Sequence, residues 1–142
     1  PNVIYQNIHD GIQISYLNED VKKENTEKWV DRWNNTCDLA KRNGFDLLII
    51  VQPMVGTSDR QLSSVEEDIF KRPKTQKNIE FLNALGDSIN KLECQHADLR
   101  NTFDGVGQQV FFSPVHTGYF GNNLLADKIY EKSVPIISYK FN

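Results

Sequence analysis

The order of apolar and polar positions divides the chain into helical and strand-like stretches. From about Glu19 to Arg42, Val21, Trp29, Val30, Trp33, Cys37 and Ala40 recur at helical spacing, and Asn43-Gly44 supplies a left-handed stop. This predicts a long amphipathic helix with Trp29 and Trp33 turned to the core. "FDLLIIVQP" follows as an uninterrupted apolar run bounded by Gly44 and Pro53, the signature of a strand buried on both faces of a parallel sheet. After the loop "MVGTSDRQLSSVEED", Ser63 or Ser64 stands three residues before Glu66 or Glu67, the spacing of a capping box, so a helix is expected to begin there. Pro73 interrupts or kinks it, because proline lacks an N–H and its ring clashes with the preceding turn. Ile79, Leu82, Leu85, Ile89 and Leu92 then form one stripe running toward Cys94.

The two ends extend this alternation. "PNVIYQ" predicts a first strand at Val3 to Tyr5, followed by a polar loop through Asp10-Gly11 and a loosely alternating "IQISYL". Toward the other end, "ADL" is short and apolar, "FDGVGQQ" is a turn-rich loop, and "VFF" predicts a strand of three apolar residues. "SPVHTGYFGN" is the last loop, leading into the helix "NLLADKIYEKSV", where Leu124, Leu125, Ile129 and Tyr130 share a face. Strands alternating with helices in this order imply crossover connections and a parallel α/β sheet with flanking helices, in one domain over residues 1–142. Ligands of such sheets bind at the carboxyl ends of the strands. Those ends carry "QNIHDG", "QPMVGTSD" and "SPVHTG", which puts His9 and His116 where chemistry is expected.

Composition removes several classes of function. A net charge of −3, with Lys and Arg interspersed among Asp and Glu, gives no basic field for nucleic acid. No apolar run approaches the roughly 20 residues that span a bilayer, and Pro1 onward lacks the basic start and apolar stretch of a signal peptide. The two cysteines, Cys37 and Cys94, have neither the close spacing nor the second pair of a zinc site, and are either buried thiols or a disulfide. No glycine-rich phosphate loop is present, and the spacing of His9, Asp10 and His116 does not enforce a metal site, so no cofactor is expected. The compartment is left open by these features.

"LNALGDSIN" contains Gly86-Asp87-Ser88, the nucleophile tripeptide of a large class of serine esterases. A serine nucleophile of that kind needs a strand immediately before it, so that the turn into the next helix lifts its Oγ out of the backbone. Gly86 lies instead within the helical stripe from Ile79 to Leu92, and Ser88 is expected to be a solvated helix position.

The functional signal lies elsewhere. "VFFSPVHTGYFGNNLLADKIYEKSVPII" resembles the C-terminal block of the SGNH/GDSL hydrolase superfamily, in which a strand is followed by Asp-x-x-His, a short loop, Gly-Asn and a helix. His116, Gly121-Asn122, Ala126 and Ile129-Tyr130 match in order and spacing. "GFDLLIIVQPMVGT", "LSSVEED" and "DLRNTFDG" are similar to the family's preceding segments, and "PNVIYQNIHD" resembles its Gly-x-Asn-Asp block. The resemblance implies a flavodoxin-like SGNH-hydrolase fold, incomplete and lacking its N-terminal strands. The catalytic serine would then lie upstream of Pro1. It also implies that His116 is the general base, that Ser113 stands at the position of the orienting aspartate, and that His9, followed by Asp10, replaces the oxyanion-hole asparagine.

Two functions follow: a serine esterase or acetylesterase acting on a small ester or acetylated carbohydrate, or a catalytically inactive SGNH-like module with a binding or interaction role. The missing strands imply completion of the sheet by an N-terminal segment, a second chain or self-association. In this architecture the helices ending near Cys37 and Cys94 cover one face of the sheet. A Cys37–Cys94 disulfide fits that arrangement and favours an extracytoplasmic location if formed.

Overall fold

A computed structural model of the chain describes residues 19–138. Helix α1 spans Glu19–Asn43, with Glu19 and Asp20 in its first turn and Lys41 and Arg42 in its last, each complementing the helix dipole. Thr26, Val30, Cys37 and Ala40 form its buried stripe. Gly44 takes the left-handed conformation (φ +72°), and the Gly44 and Phe45 amides donate to the Lys41 and Ala40 carbonyls at 3.3 and 3.2 Å, closing the helix as the sequence predicts.

Strand β1 (Leu48–Val51) pairs in parallel with β2 (Gln95–Asp98), Leu48 opposite Gln95 and Val51 opposite Asp98. The expectation of two buried faces on β1 holds for one of them. Ile49 and Val51 are buried with Val30, Ile89 and Leu92, and Trp29, Trp33 and Leu82 pack around this cluster. Leu48 and Ile50 are only half-buried, because the residues that α1 and the stripe beyond Ile79 contribute to the cluster converge on the Ile49–Val51 side.

Between the strands lie α2 (Ser64–Phe70) and α3 (Pro73–Ser88). The capping box is formed by Ser63 and Glu66: the Ser63 hydroxyl accepts from the Glu66 amide, and the Glu66 carboxylate accepts from the Ser63 amide. Pro73 begins a new helix at its first position, where a missing N–H costs nothing, so the chain breaks at Arg72 rather than kinking. α3 tightens into a 3₁₀ turn at Ile89–Lys91.

Of Gly86-Asp87-Ser88, Asp87 is exposed, but Ser88 departs from its expected solvated setting. Ser88 is 9% exposed, at the junction of α3 with the 3₁₀ turn. Gly86 is buried beneath the Arg100 guanidinium, where a Cβ would lie 2.2 Å from Cζ. Arg100 reaches from beyond β2 to Asp98 (2.6 Å), Asp87 (3.0 Å) and the Asn83 carbonyl (3.1 Å). Burial pushes the Asp98 carboxyl up, but the Arg100 hydrogen bonds and charge outweigh it and hold its pKa below the ordinary value. The tripeptide is therefore a seat for an arginine.

"VFF" forms no strand. The Val110 and Phe111 amides donate to a carboxylate rather than to a neighbouring strand, and only an isolated antiparallel bridge joins Phe111 to Thr117. Helix α4 (Tyr119–Ser138) starts earlier than the sequence suggests and continues through Pro135. Its Leu124 and Leu125 pack on a second core of Val55, Ile69, Phe103, Val110 and Phe111, in which Phe103 and Phe111 meet edge to face at 5.4 Å. Tyr130 is exposed rather than on the packed face. No helix of the described residues is long and apolar enough to cross a membrane.

Cys37 and Cys94 form a disulfide with Cα atoms 5.5 Å apart. It joins the last third of α1 to the residue before β2 across 57 positions of sequence, closing a loop that contains β1, α2 and α3. A loop of that length restricts the unfolded chain by about 4 kcal/mol on the chain-entropy estimate. Reduction is therefore expected to lower unfolding free energy in urea by about 2–5 kcal/mol, and a thiol assay on the unfolded, unreduced protein to find no free thiol. Two free thiols, or an unchanged urea midpoint after reduction, would contradict the bond.

Candidate functional site

The chain leaves the carboxyl end of β1 through Pro53, Met54 and Val55, all buried. Gly56, at φ +85° with the Phe70 ring against its Cα, makes the turn that a side chain would block. Thr57 and Ser58 donate their hydroxyls to the Arg100 carbonyl at 2.9 and 2.8 Å, which ties this loop to the one that follows β2. A third loop joins them. The Val55 amide donates to the Pro114 carbonyl at 3.0 Å, so residues 112–116 stand beside the segment leaving β1, on the side where open α/β sheets bind ligands.

Residues 110–118 fold back on themselves. The Phe112 amide donates to the His116 carbonyl (2.9 Å) and the Gly118 amide to the Val110 carbonyl (3.1 Å). Within this turn Ser113 Oγ lies 2.7 Å from His116 Nδ1 and accepts the His116 amide at 3.0 Å. His116 is exposed and Ser113 half-buried. The Gly121 of the Gly-Asn pair is required by packing: a Cβ there would lie 2.7 Å from Val110 Cγ1 and 2.9 Å from Thr117 Cβ. Asn122 accepts a hydrogen bond from the Thr117 hydroxyl and donates its own amide to the Gly118 carbonyl, which locks the start of α4 under the histidine turn.

The structure thus brings Ser113 and His116 together. His9 and Asp10 lie outside the described residues. Ser88 is the last residue of α3 and takes no part in the hydrogen bonds of this turn. Among the described residues no group of three His, Cys, Asp or Glu side chains is placed to share a metal ion.

Sequence patterns did not reveal what holds the turn in place. Glu66, predicted only as a cap, is fully buried together with Arg60; their side chains are 0% and 1% exposed. Arg60 Nη1 and Nη2 donate to the two carboxylate oxygens at 2.8 and 3.2 Å, and its Nε donates to the Val106 carbonyl at 3.1 Å. Oε1 also accepts the Val110 and Phe111 amides, both at 2.9 Å, and Oε2 accepts the Ser63 amide at 2.9 Å. Burial pushes the Glu66 carboxyl up, but the Arg60 guanidinium and these three amides outweigh it and hold the pKa down at about 2. The one available sequence signal was the capping-box spacing, which locates Glu66 but not its distant partners.

In comparisons with known proteins, no family model, curated protein or solved structure matches the chain.

Removing the Glu66 charge leaves Arg60 buried and unpaired, so Glu66→Gln is expected to cost about 3–5 kcal/mol in chemical unfolding. The pH dependence carries a defined sign. Because the folded pKa of about 2 lies below the ordinary 4.5, the stability from Glu66 is fully present above pH 4.5 and is lost as the pH falls toward 2. The loss amounts to roughly 3 kcal/mol. Unfolding curves of the wild-type protein across that window should show the decline, and Glu66→Gln should flatten it. Equal slopes in the two proteins would refute the assignment.

Proposed function

We propose that the chain is the histidine-bearing part of an SGNH-like ester hydrolase domain, with a flavodoxin-like parallel sheet and with His116 as general base for a serine upstream of Pro1. The observation that supports this most directly is the Ser113–His116 pair. It has the spacing of the family's acid and histidine, its 2.7 Å contact is to Nδ1, and it stands beside the segment leaving β1. In a Ser-His-acid device the Nδ1 partner orients the ring and Nε2 faces the reacting oxygen. The substrate class is a small ester, including acetylated carbohydrate. Among the described residues β1 has one strand neighbour, so this fold needs further strands on its other edge. They would come from residues before Glu19, from sequence upstream of Pro1, from a second chain or from self-association. The Cys37–Cys94 disulfide supports an extracytoplasmic location.

One observation favours a second function, a non-catalytic SGNH-like binding module. Ser113 gives the histidine a hydroxyl and no negative charge, and loss of the orienting acid costs about 10⁴ in rate where it has been removed from a triad. A fluorophosphonate probe applied to the protein expressed with the coding sequence upstream of Pro1 separates the two. Labelling of an upstream serine, with ester turnover abolished in His116→Ala, is expected of the hydrolase; no labelled serine and no turnover would leave the binding module.

A further inference from the structure

The hydrogen bonds around Ser113 determine which ring nitrogen of His116 carries its proton. A hydroxyl has one proton and two lone pairs. Ser113 Oγ accepts the His116 amide at 3.0 Å and receives the Val115 amide at 3.4 Å, so its lone pairs are turned to the backbone. Its proton then points to His116 Nδ1, 2.7 Å away. A neutral imidazole that accepts at Nδ1 carries its hydrogen on Nε2. An aspartate at the same position has no proton to give and would demand the opposite tautomer. In that tautomer His116 presents a donor at Nε2, which suits the binding form of the function proposed above and not its hydrolase form.

The stretch of chain that carries that donor is uncharged and rich in apolar side chains. No Asp, Glu, Lys or Arg occurs between Asp104 and Asp127, in a chain whose residues are 25% charged. Within that stretch Phe112 is 64% exposed, Val115 39%, Tyr119 84% and Phe120 40%, and they flank His116 on both sides. The Phe112 ring lies over Gly118, where a Cβ would be 2.6 Å from it, so the aromatic rim is continuous with the first turn of α4. Clustered exposed apolar side chains of this kind mark a ligand or interaction surface. This stretch offers a charged ligand no counter-charge of its own, whereas a neutral ligand loses no ion hydration on docking.

We propose that Ser113, His116 and the rim of Phe112, Val115, Tyr119 and Phe120 form a binding site for an uncharged ester bearing an aromatic or alkyl group. His116 Nε2–H donates to the ester carbonyl oxygen, and the rim holds the apolar group. The choice of an ester rests on the SGNH-like function proposed above, in its binding form; the tautomer and the rim do not.

Long-range ¹⁵N–¹H NMR of the ring nitrogens at a pH where imidazole is neutral tests the first half. His116 is expected to show a protonated Nε2 and an unprotonated Nδ1. Ser113→Asp should move the His116 proton to Nδ1. Titration with phenyl butyrate should shift His116 Nε2 and the Phe112 and Tyr119 signals, while 4-carboxyphenyl butyrate should bind at least about tenfold more weakly. The double variant Phe112→Ser, Tyr119→Ser alters only exposed side chains. It should keep the far-ultraviolet circular dichroism spectrum and lose about tenfold in affinity for the neutral ester. A wild-type His116 protonated at Nδ1, equal binding of the two probes, or shifts that bypass His116 would each overturn the proposal. Fluorophosphonate labelling of an upstream serine together with any of those results would retain the hydrolase and discard this site; specific neutral-ester binding without labelling would do the reverse.

Discussion

The buried Arg60–Glu66 pair is the interaction on which the geometry of the candidate site depends. Two charges leave water, and the cost is offset by hydrogen bonds: the guanidinium reaches the carboxylate and the Val106 and Gln108 carbonyls, and the carboxylate takes the guanidinium and three backbone amides. Two of those amides, Val110 and Phe111, begin the turn that carries Ser113 and His116. A helix cap has thus become the anchor of a loop 44 residues further along the chain. Among buried side-chain polar atoms of the described residues none lacks a partner, which is the condition for such a network to be tolerated.

From this anchor the arrangement of the site follows by short steps. With their amides committed to Glu66, Val110 and Phe111 turn their side chains into the core that receives Leu124 and Leu125 of α4. The next amide, Phe112, closes on the His116 carbonyl, and Gly118 closes on Val110. Gly121 permits α4 to approach Val110 and Thr117. Ser113 and His116 are left at the exposed tip. A separate ionic node at Arg100 fixes the end of β2 to α3, and its backbone carbonyl holds Thr57 and Ser58, so the loops after both strands are tied to each other before the histidine turn docks on Val55. The disulfide closes the opposite side, joining α1 to the entrance of β2.

Much of this was legible in the sequence where the cause is local. The apolar stripe of α1 and its Gly44 stop, the β1 run, the Ser63–Glu66 box and the role of Pro73 as a boundary all depend on neighbours within a few positions. Three features were not legible, each because a distant partner overrides local preference. "VFF" has the composition of a strand, but its amides are taken by a carboxylate. Gly86 lies within a helical stripe, and nothing local announces that Arg100 packs over it. Glu66 reads as a surface cap and is 0% exposed. Of the proposed site, the Ser113–His116 spacing was visible in the sequence and their contact is in the structure, whereas the direction of the proton between them depends on two backbone amides that no sequence pattern records.

The dependence of the histidine turn on the buried carboxylate is measured most directly by amide hydrogen exchange in the wild-type protein and in Glu66→Gln, under conditions where both are folded. The Val110, Phe111, Phe112 and Gly118 amides should be protected in the wild type and lose protection together in the variant. Leu99, whose amide bonds to the Val51 carbonyl next to the sheet, should remain protected in both. Unchanged protection of Phe112 and Gly118 in the variant would show that the turn holds its shape without Glu66 and would contradict this picture.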